Sequence, residues 1–141
     1  TEARLPLSGR ASHAYLLMAG STNPMQSRIE NGLAEISYTD GTAERLVLRN
    51  PENWWPIEKD YLDDGFAFST GALHPPRVHL KTGEVVYGEK LGQYNGKEIE
   101  GGAATVLDLP LNPSKTLKEL KLTAIANDVV IGLMSVTLVR P

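Results

Sequence analysis

The chain alternates apolar and polar residues over short stretches that are separated by turn residues. Residues 34–38 (AEISY) and 45–49 (RLVLR) each show a period of two, which is typical of strands with one buried face. Asp40-Gly41 lies between the two stretches, and glycine accepts the positive φ that a tight hairpin turn requires. The pattern therefore predicts a β-hairpin over residues 33–49.

Two short apolar runs in the middle of the chain predict a second hairpin. Arg77–Leu80 and Glu84–Tyr87 flank Thr82-Gly83, which is a turn pair of the same kind. Alternation predicts three further strands, at residues 11–19, 105–109 and 120–124.

Helix and strand compete in two stretches near the C-terminus. Ser114 suits the cap of a short helical turn over Lys115–Lys121, which only two leucines would support. Val129–Val139 is apolar on both faces, and its β-branched residues favour a strand over a helix. This composition is typical of a strand buried on both faces, or of a central strand that packs one face against a partner domain.

Together these elements predict an all-β fold. We count about eight strands joined by closely spaced turns, as in two-sheet sandwiches. We therefore expect residues 1–141 to form a single two-sheet antiparallel β-sandwich of the jelly-roll type. Three longer connections remain, at 20–31, 50–76 and 88–102. A connection as long as 50–76 is usually functional or packed against another surface.

Composition removes several classes of function. The 141 residues carry 14 Lys and Arg against 17 Asp and Glu, and a net charge of -3 argues against nucleic acid as a partner. There are no cysteines, which excludes disulfides and thiolate chemistry. The longest apolar stretch falls well short of the roughly 20 residues of a membrane-spanning helix, so no membrane span is predicted. His13, His74 and His79 form no close ligand pair, and no metal site is predicted.

Four carboxylates lie close together in the 50–76 connection: Glu58, Asp60, Asp63 and Asp64. Glycoside hydrolysis uses a pair of carboxyl groups, so these acids are compatible with a small glycosidase. Neighbouring acids on a loop are more commonly solvated turn residues, which favours a non-catalytic chain. Asp63-Asp64-Gly65 could contribute to a structural calcium site, but no EF-hand pattern surrounds it, and no cofactor is predicted.

Aromatic residues are concentrated in the same connection, with five of them between residues 54 and 68. Indole rings stack on the apolar faces of sugars, while His and Arg bond sugar hydroxyls. This chemistry predicts a ligand site formed by Trp54, Trp55, His74 and Arg77, with a glycan as the partner. Packing is the alternative, in which one tryptophan closes the end of the sandwich and the other anchors the loop or contacts a neighbouring domain.

The order of these segments resembles a known type of module. An apolar strand at 13–20 is followed by the Tyr38-Thr39-Asp40-Gly41 turn, a strand at 46–49, the loop Asn53-Trp54-Trp55 and a closing strand pair at 117–122 and 127–138. In this order the chain is similar to the galactose-binding-like jelly-roll modules found beside bacterial glycoside hydrolases. More narrowly, it resembles the C-terminal domain of an uncharacterised bacterial family whose main domain is a glycosidase-like helical barrel.

The resemblance implies a non-catalytic accessory domain, excised from the C-terminus of a larger carbohydrate-processing protein. It also implies export to the periplasm or cell surface, and a neighbouring domain of the parent chain as a partner. In related modules the sugar contacts come from loops at one end of the sandwich, which Trp54, Trp55, His74 and Arg77 match in position only. The two alternatives are a purely structural domain that packs through its aromatic loop, and a small glycosidase that uses the 58–64 carboxylates.

Overall fold

The computed structural model describes residues 1–22, 28–61, 74–87 and 97–141. Within these ranges the chain forms no helix and nine strands: β1 (Glu2–Pro6), β2 (His13–Ser21), β3 (Glu30–Tyr38), β4 (Ala43–Arg49), β5 (Arg77–His79), β6 (Val85–Val86), β7 (Ala103–Pro110), β8 (Leu117–Ala124) and β9 (Val130–Val139). In this part of the chain no helix is long and apolar enough to cross a membrane. The predicted all-β class is confirmed, and β1 is a strand that sequence reasoning missed.

The strands form two antiparallel sheets that face each other across one core. The four-stranded sheet has the order β1-β8-β3-β4, and the five-stranded sheet has the order β6-β5-β7-β2-β9. Both sheets contribute to the buried core cluster, whose larger members include Leu16, Met18, Ile36, Tyr38, Leu48, Leu107, Leu117 and Leu120. The two-sheet sandwich is therefore confirmed, whereas the jelly-roll connectivity stays a prediction.

The predicted 33–49 hairpin is present as β3 and β4 in antiparallel register. Gly41 takes a φ of 89° at its turn. The Asp40 carboxylate accepts hydrogen bonds from the Thr42 backbone N–H at 2.9 Å and from the Thr42 hydroxyl at 2.6 Å. The residues that produced the sequence pattern thus also hold the geometry of the turn.

Two further predictions from the second half of the chain have opposite outcomes. β5 and β6 pair around Gly83, whose φ is 76°, so the second hairpin is confirmed. The helical turn over 115–121 is wrong, because β8 begins at Leu117 and pairs with β1 on one side and β3 on the other. The ladders to β3 and β1 pair the backbone from Leu117 onward, which a single helical turn cannot do.

The C-terminal strand is more exposed than its sequence predicts. β9 lies at the edge of the five-stranded sheet and, among the described strands, pairs only with β2. The side chains of Val130 and Met134 are 63% and 52% exposed. Four others pack against the core: Ile131, Leu133, Val136 and Leu138. The prediction of a central strand, or of one buried on both faces within the chain, is therefore wrong, because β9 buries only one of its apolar faces.

Candidate functional site

Residues 50–61, which we call the tryptophan segment, leave β4 and are bonded to the five-stranded sheet. The Asn53 side-chain amide donates to the Val47 carbonyl of β4 at 2.9 Å and so fixes the start of the segment. Farther along, the Ile57 backbone N–H donates to the Gly20 carbonyl of β2 at 2.7 Å. These bonds hold the segment in place although it lacks regular secondary structure.

Trp54 belongs to the core of the sandwich. Its side chain is 1% exposed and joins the core cluster. Its Cζ2 atom lies 2.8 Å from the position that a Cβ on Gly20 would occupy, so the ring packs directly on the β2 backbone. The indole Nε1 is buried and has no hydrogen-bond partner among the described residues. A sugar cannot stack on this ring in the observed conformation, because stacking requires an exposed aromatic face.

Four buried side chains pack together and form what we call the aromatic cluster: Trp55, Tyr61, His74 and Arg77. The rings of Tyr61 and His74 are stacked with centroids 4.0 Å apart, and Trp55 meets Tyr61 edge-on at 5.2 Å. The Trp55 Nε1–H donates to the Pro51 carbonyl at 2.9 Å. His74 Nδ1 lies 3.1 Å from the Glu52 carbonyl, and because a carbonyl can only accept, this nitrogen carries the proton.

Arg77, the first residue of β5, is 1% exposed and bonds to the backbone of two other segments. Its Nη1 donates to the Lys59 carbonyl at 2.5 Å, and its Nη2 donates to the carbonyls of Pro56 at 3.2 Å and Ala103 at 2.8 Å. Its Cζ also lies 5.3 Å from the centroid of the Tyr61 ring, a cation–π distance. Burial lowers the pKa of Arg77, although acidic groups nearby act in the opposite direction. The guanidinium remains charged at neutral pH and joins the tryptophan segment to β7.

The structure thus brings three of the four predicted ligand residues together and places Trp54 apart from them, against β2. All four are buried, since Trp55 is 7% and His74 is 3% exposed. Trp55, His74 and Arg77 each donate hydrogen bonds to carbonyls of the chain itself. The burial favours the packing alternative for these side chains, and glycan contact through them stays a prediction.

Two features of the cluster were missed by sequence reasoning. Tyr61 is its central ring, but the only signal was its place in the aromatic-rich stretch 54–68. The role of Arg77 as a buried donor had no signal at all, because arginine is almost never fully buried unless it is paired.

The carboxylates of the glycosidase hypothesis are only partly described. Glu58 is exposed, and Asp60 accepts a hydrogen bond from the Tyr61 backbone N–H at 2.8 Å. Asp63, Asp64 and Gly65 lie outside the described residues, as do the aromatic residues Phe66 and Phe68. Within the described ranges no group of three or more His, Asp or Glu residues is arranged to hold a metal ion. The calcium and glycosidase hypotheses are therefore not tested by these residues.

A cleft of about 350 Å³ that we call the polar cleft lies beside the aromatic cluster, and its walls come from three separate segments: Asp60, His79, Lys81, Thr82, Lys97, Glu98, Ile99 and Glu100. The Asp60 backbone N–H donates to the Lys97 carbonyl at 2.8 Å and ties two of the walls together. Lys81, on the third wall, forms an ion pair with Glu100. Because the segments are far apart in the chain, no local motif predicted this cleft.

Comparison of the chain with protein-family models, with curated proteins and with solved structures finds no match. The resemblance to galactose-binding-like modules therefore remains a prediction. The polar cleft and the aromatic cluster are the features of the described chain from which a function can be inferred.

Proposed function

We propose that this chain is a non-catalytic accessory β-sandwich domain of an exported bacterial protein that processes carbohydrate. The aromatic cluster is the observation that supports a scaffolding role most directly. Trp55, His74 and Arg77 donate hydrogen bonds to carbonyls of the chain itself, and Arg77 alone donates to three of them. Side chains held in this way stabilise a loop and are not positioned to move during a reaction.

The polar cleft is the place where this accessory domain would contact a glycan. Sugar hydroxyls both donate and accept hydrogen bonds, and the cleft is lined by the ammonium groups of Lys81 and Lys97 and by the carboxylates of Asp60, Glu98 and Glu100. Lys81 pairs with Glu100 and Glu98 with Lys59, so a sugar would bond to the remaining donor and acceptor positions of these groups. Its volume of about 350 Å³ lies at the small end of ligand pockets, which span roughly 300–1,000 Å³. A short saccharide fits this chemistry better than an apolar ligand does.

Calorimetric titration with neutral mono- and oligosaccharides tests the glycan contact. We expect saturable binding of one sugar class, weakened about tenfold in Lys97→Met by the loss of a charged hydrogen-bond donor. Lys118→Met, which removes an exposed lysine from β8, is the matched control and should bind normally. Tryptophan fluorescence adds a second readout, because Trp55 contacts Tyr61, the residue that follows Asp60.

The outcomes separate the remaining hypotheses. Binding that Lys97→Met leaves unchanged would place the glycan elsewhere on the chain. Release of a chromophore from aryl glycosides, lost in Asp60→Asn, would support the small glycosidase instead. The absence of both binding and turnover would leave a purely structural domain. The exposed side chains of β9, not the buried tryptophans, would then supply the surface for a neighbouring domain.

A further inference from the structure

The described chain has four sheet edges, and three of them carry features that prevent pairing with another strand. β1 ends in Pro6 and carries the charged residues Glu2 and Arg4. β4 carries Glu44 together with two arginines, and β6 is only two residues long. Charges, proline and short length are the usual means of blocking an edge.

The fourth edge, β9, has none of these features. It runs for ten residues, Val130–Val139, without a charge or a proline. On its free side no described strand pairs with it, and Val130, Met134 and Val139 are exposed. A long, uncharged edge of this kind is a ready template for a further strand.

The side-chain pattern of β9 shows which strand fits there. Leu17 of β2 pairs with Ser135 and Met18 pairs with Leu133, so Met134 is an extra residue at a bulge. Core-facing residues therefore lie at equal distances on either side of the centre: Ile131 and Leu133 before it, Val136 and Leu138 after it. Exposed valines occupy the two ends, at Val130 and Val139.

We propose that β9 pairs antiparallel with β9 of a second copy of this chain, around a twofold axis between Met134 and Ser135. In this register Ile131 faces Leu138 of the second copy, and Leu133 faces Val136 of the second copy. Core-facing residues then oppose core-facing residues, as the pleat of an antiparallel pair requires. The two five-stranded sheets become one continuous sheet.

Charge and shape support a second copy as the occupant. Because β9 carries no charge, self-pairing sets no like charges opposite each other. Beside it, an apolar groove of about 240 Å³ opens between β1 and β9, lined in part by Leu5, Leu122 and Leu133. The core-facing residues of the second β9 extend the apolar core at this groove, so the pairing buries side chains as well as backbone.

Sedimentation velocity over a range of protein concentrations tests the dimer. We expect the native chain to dimerise and Ser135→Lys to shift it to monomer, because two lysines would then meet near the axis. Ser135 is exposed, so the melting temperature of the monomer should be retained. Glu44→Lys, which places a lysine on the β4 edge instead, should leave the dimer intact. A native chain that stays monomeric, or a dimer that Ser135→Lys does not weaken, would overturn the proposal.

Cross-linking tests the register, and the chain has no cysteine of its own. Val130 of one copy faces Val139 of the other, so the double variant Val130→Cys/Val139→Cys should form disulfide-linked dimers on mild oxidation. Val130→Cys alone is the matched control, since the two copies of this residue lie about 30 Å apart in the proposed register. Cross-linking of the single variant as readily as the double would overturn the register.

Discussion

The aromatic cluster and the β9 strand both contain large apolar side chains, but those of the cluster are buried and several of those of β9 are exposed. In the cluster, Arg77 and Trp55 turn their donors to backbone carbonyls, so a segment without regular structure can be buried. β9 bonds to β2 on one side, and the described chain supplies nothing on the other. Burial of the irregular segment thus goes with partners for most of its polar groups, although Trp54 Nε1 and Arg77 Nε have none among the described residues.

The largest expected effect comes from removing one apolar side chain from each region. Trp55→Ala should lower the free energy of unfolding by about 3–5 kcal/mol, because it removes a buried ring that packs edge-on against Tyr61. Met134→Ala should change it by less than about 0.5 kcal/mol, because the side chain is 52% exposed. Urea denaturation at low protein concentration measures both. Equal losses would mean that the two regions do not differ in burial as described.

Replacing the arginine tests what holds the cluster closed. Arg77→Met keeps most of the side-chain volume but leaves the carbonyls of Pro56, Lys59 and Ala103 without their donor. We expect a loss of about 3 kcal/mol, the cost of stranding buried acceptors. Arg77→Lys keeps the charge but lacks the planar guanidinium, so its free energy of unfolding should lie between those of the native chain and Arg77→Met. An Arg77→Met variant as stable as the native chain would show that ring packing alone suffices.

Gly20 of β2 lies between β9 and Trp54 of the tryptophan segment. A Cβ there would stand 1.9 Å from the Val130 carbonyl oxygen of β9 and 2.8 Å from Trp54 Cζ2. Gly20→Ala should therefore cost about 1–3 kcal/mol through overpacking. Thermal denaturation measures the loss of stability. Hydrogen exchange shows whether the backbone of β9 or that of the tryptophan segment loses protection. Gly41→Ala separates the two causes of strain, because nothing lies within 4 Å of its Cβ and any loss there comes from the positive φ of 89° alone.

The smallest effect concerns an exposed charge outside both regions. Hydrogen bonds from Thr42, with a further contribution from Lys115, lower the pKa of Asp40 from 3.8 to about 2. The ionised carboxylate therefore contributes stability above pH 3.8, and that contribution is lost as the pH falls toward 2. Asp40→Asn should be less stable than the native chain at neutral pH and equal to it at the acid end. A melting-temperature difference that is independent of pH would contradict this.

Local chemistry accounts for the parts of the fold that could be predicted. Asp40-Gly41 and Thr82-Gly83 mark hairpins because the turn geometry depends on the turn residues themselves. β9 was recognised as a strand, but its place in the sheet depends on which strands pair, and its own composition does not contain that information. β1 was missed because it spans only five residues and ends in Pro6, although Glu2–Leu5 alternate polar and apolar residues.

The candidate site was less predictable than the fold. The aromatic-rich stretch was noted from the sequence, but the packing of Tyr61 involves Arg77, which belongs to another segment. The polar cleft combines Asp60, His79 and Lys97 from three parts of the chain, so it exists only once the sheets are assembled.

The stacked rings of Tyr61 and His74 have a consequence for engineering. They bring the two ends of the 62–73 stretch into contact, with centroids 4.0 Å apart. Closing a longer loop costs only about 0.6 kcal/mol for each doubling of its length. Extra sequence between the two rings should therefore leave their anchoring intact. A peptide tag inserted between Tyr61 and His74 should therefore leave the melting temperature close to that of the native chain.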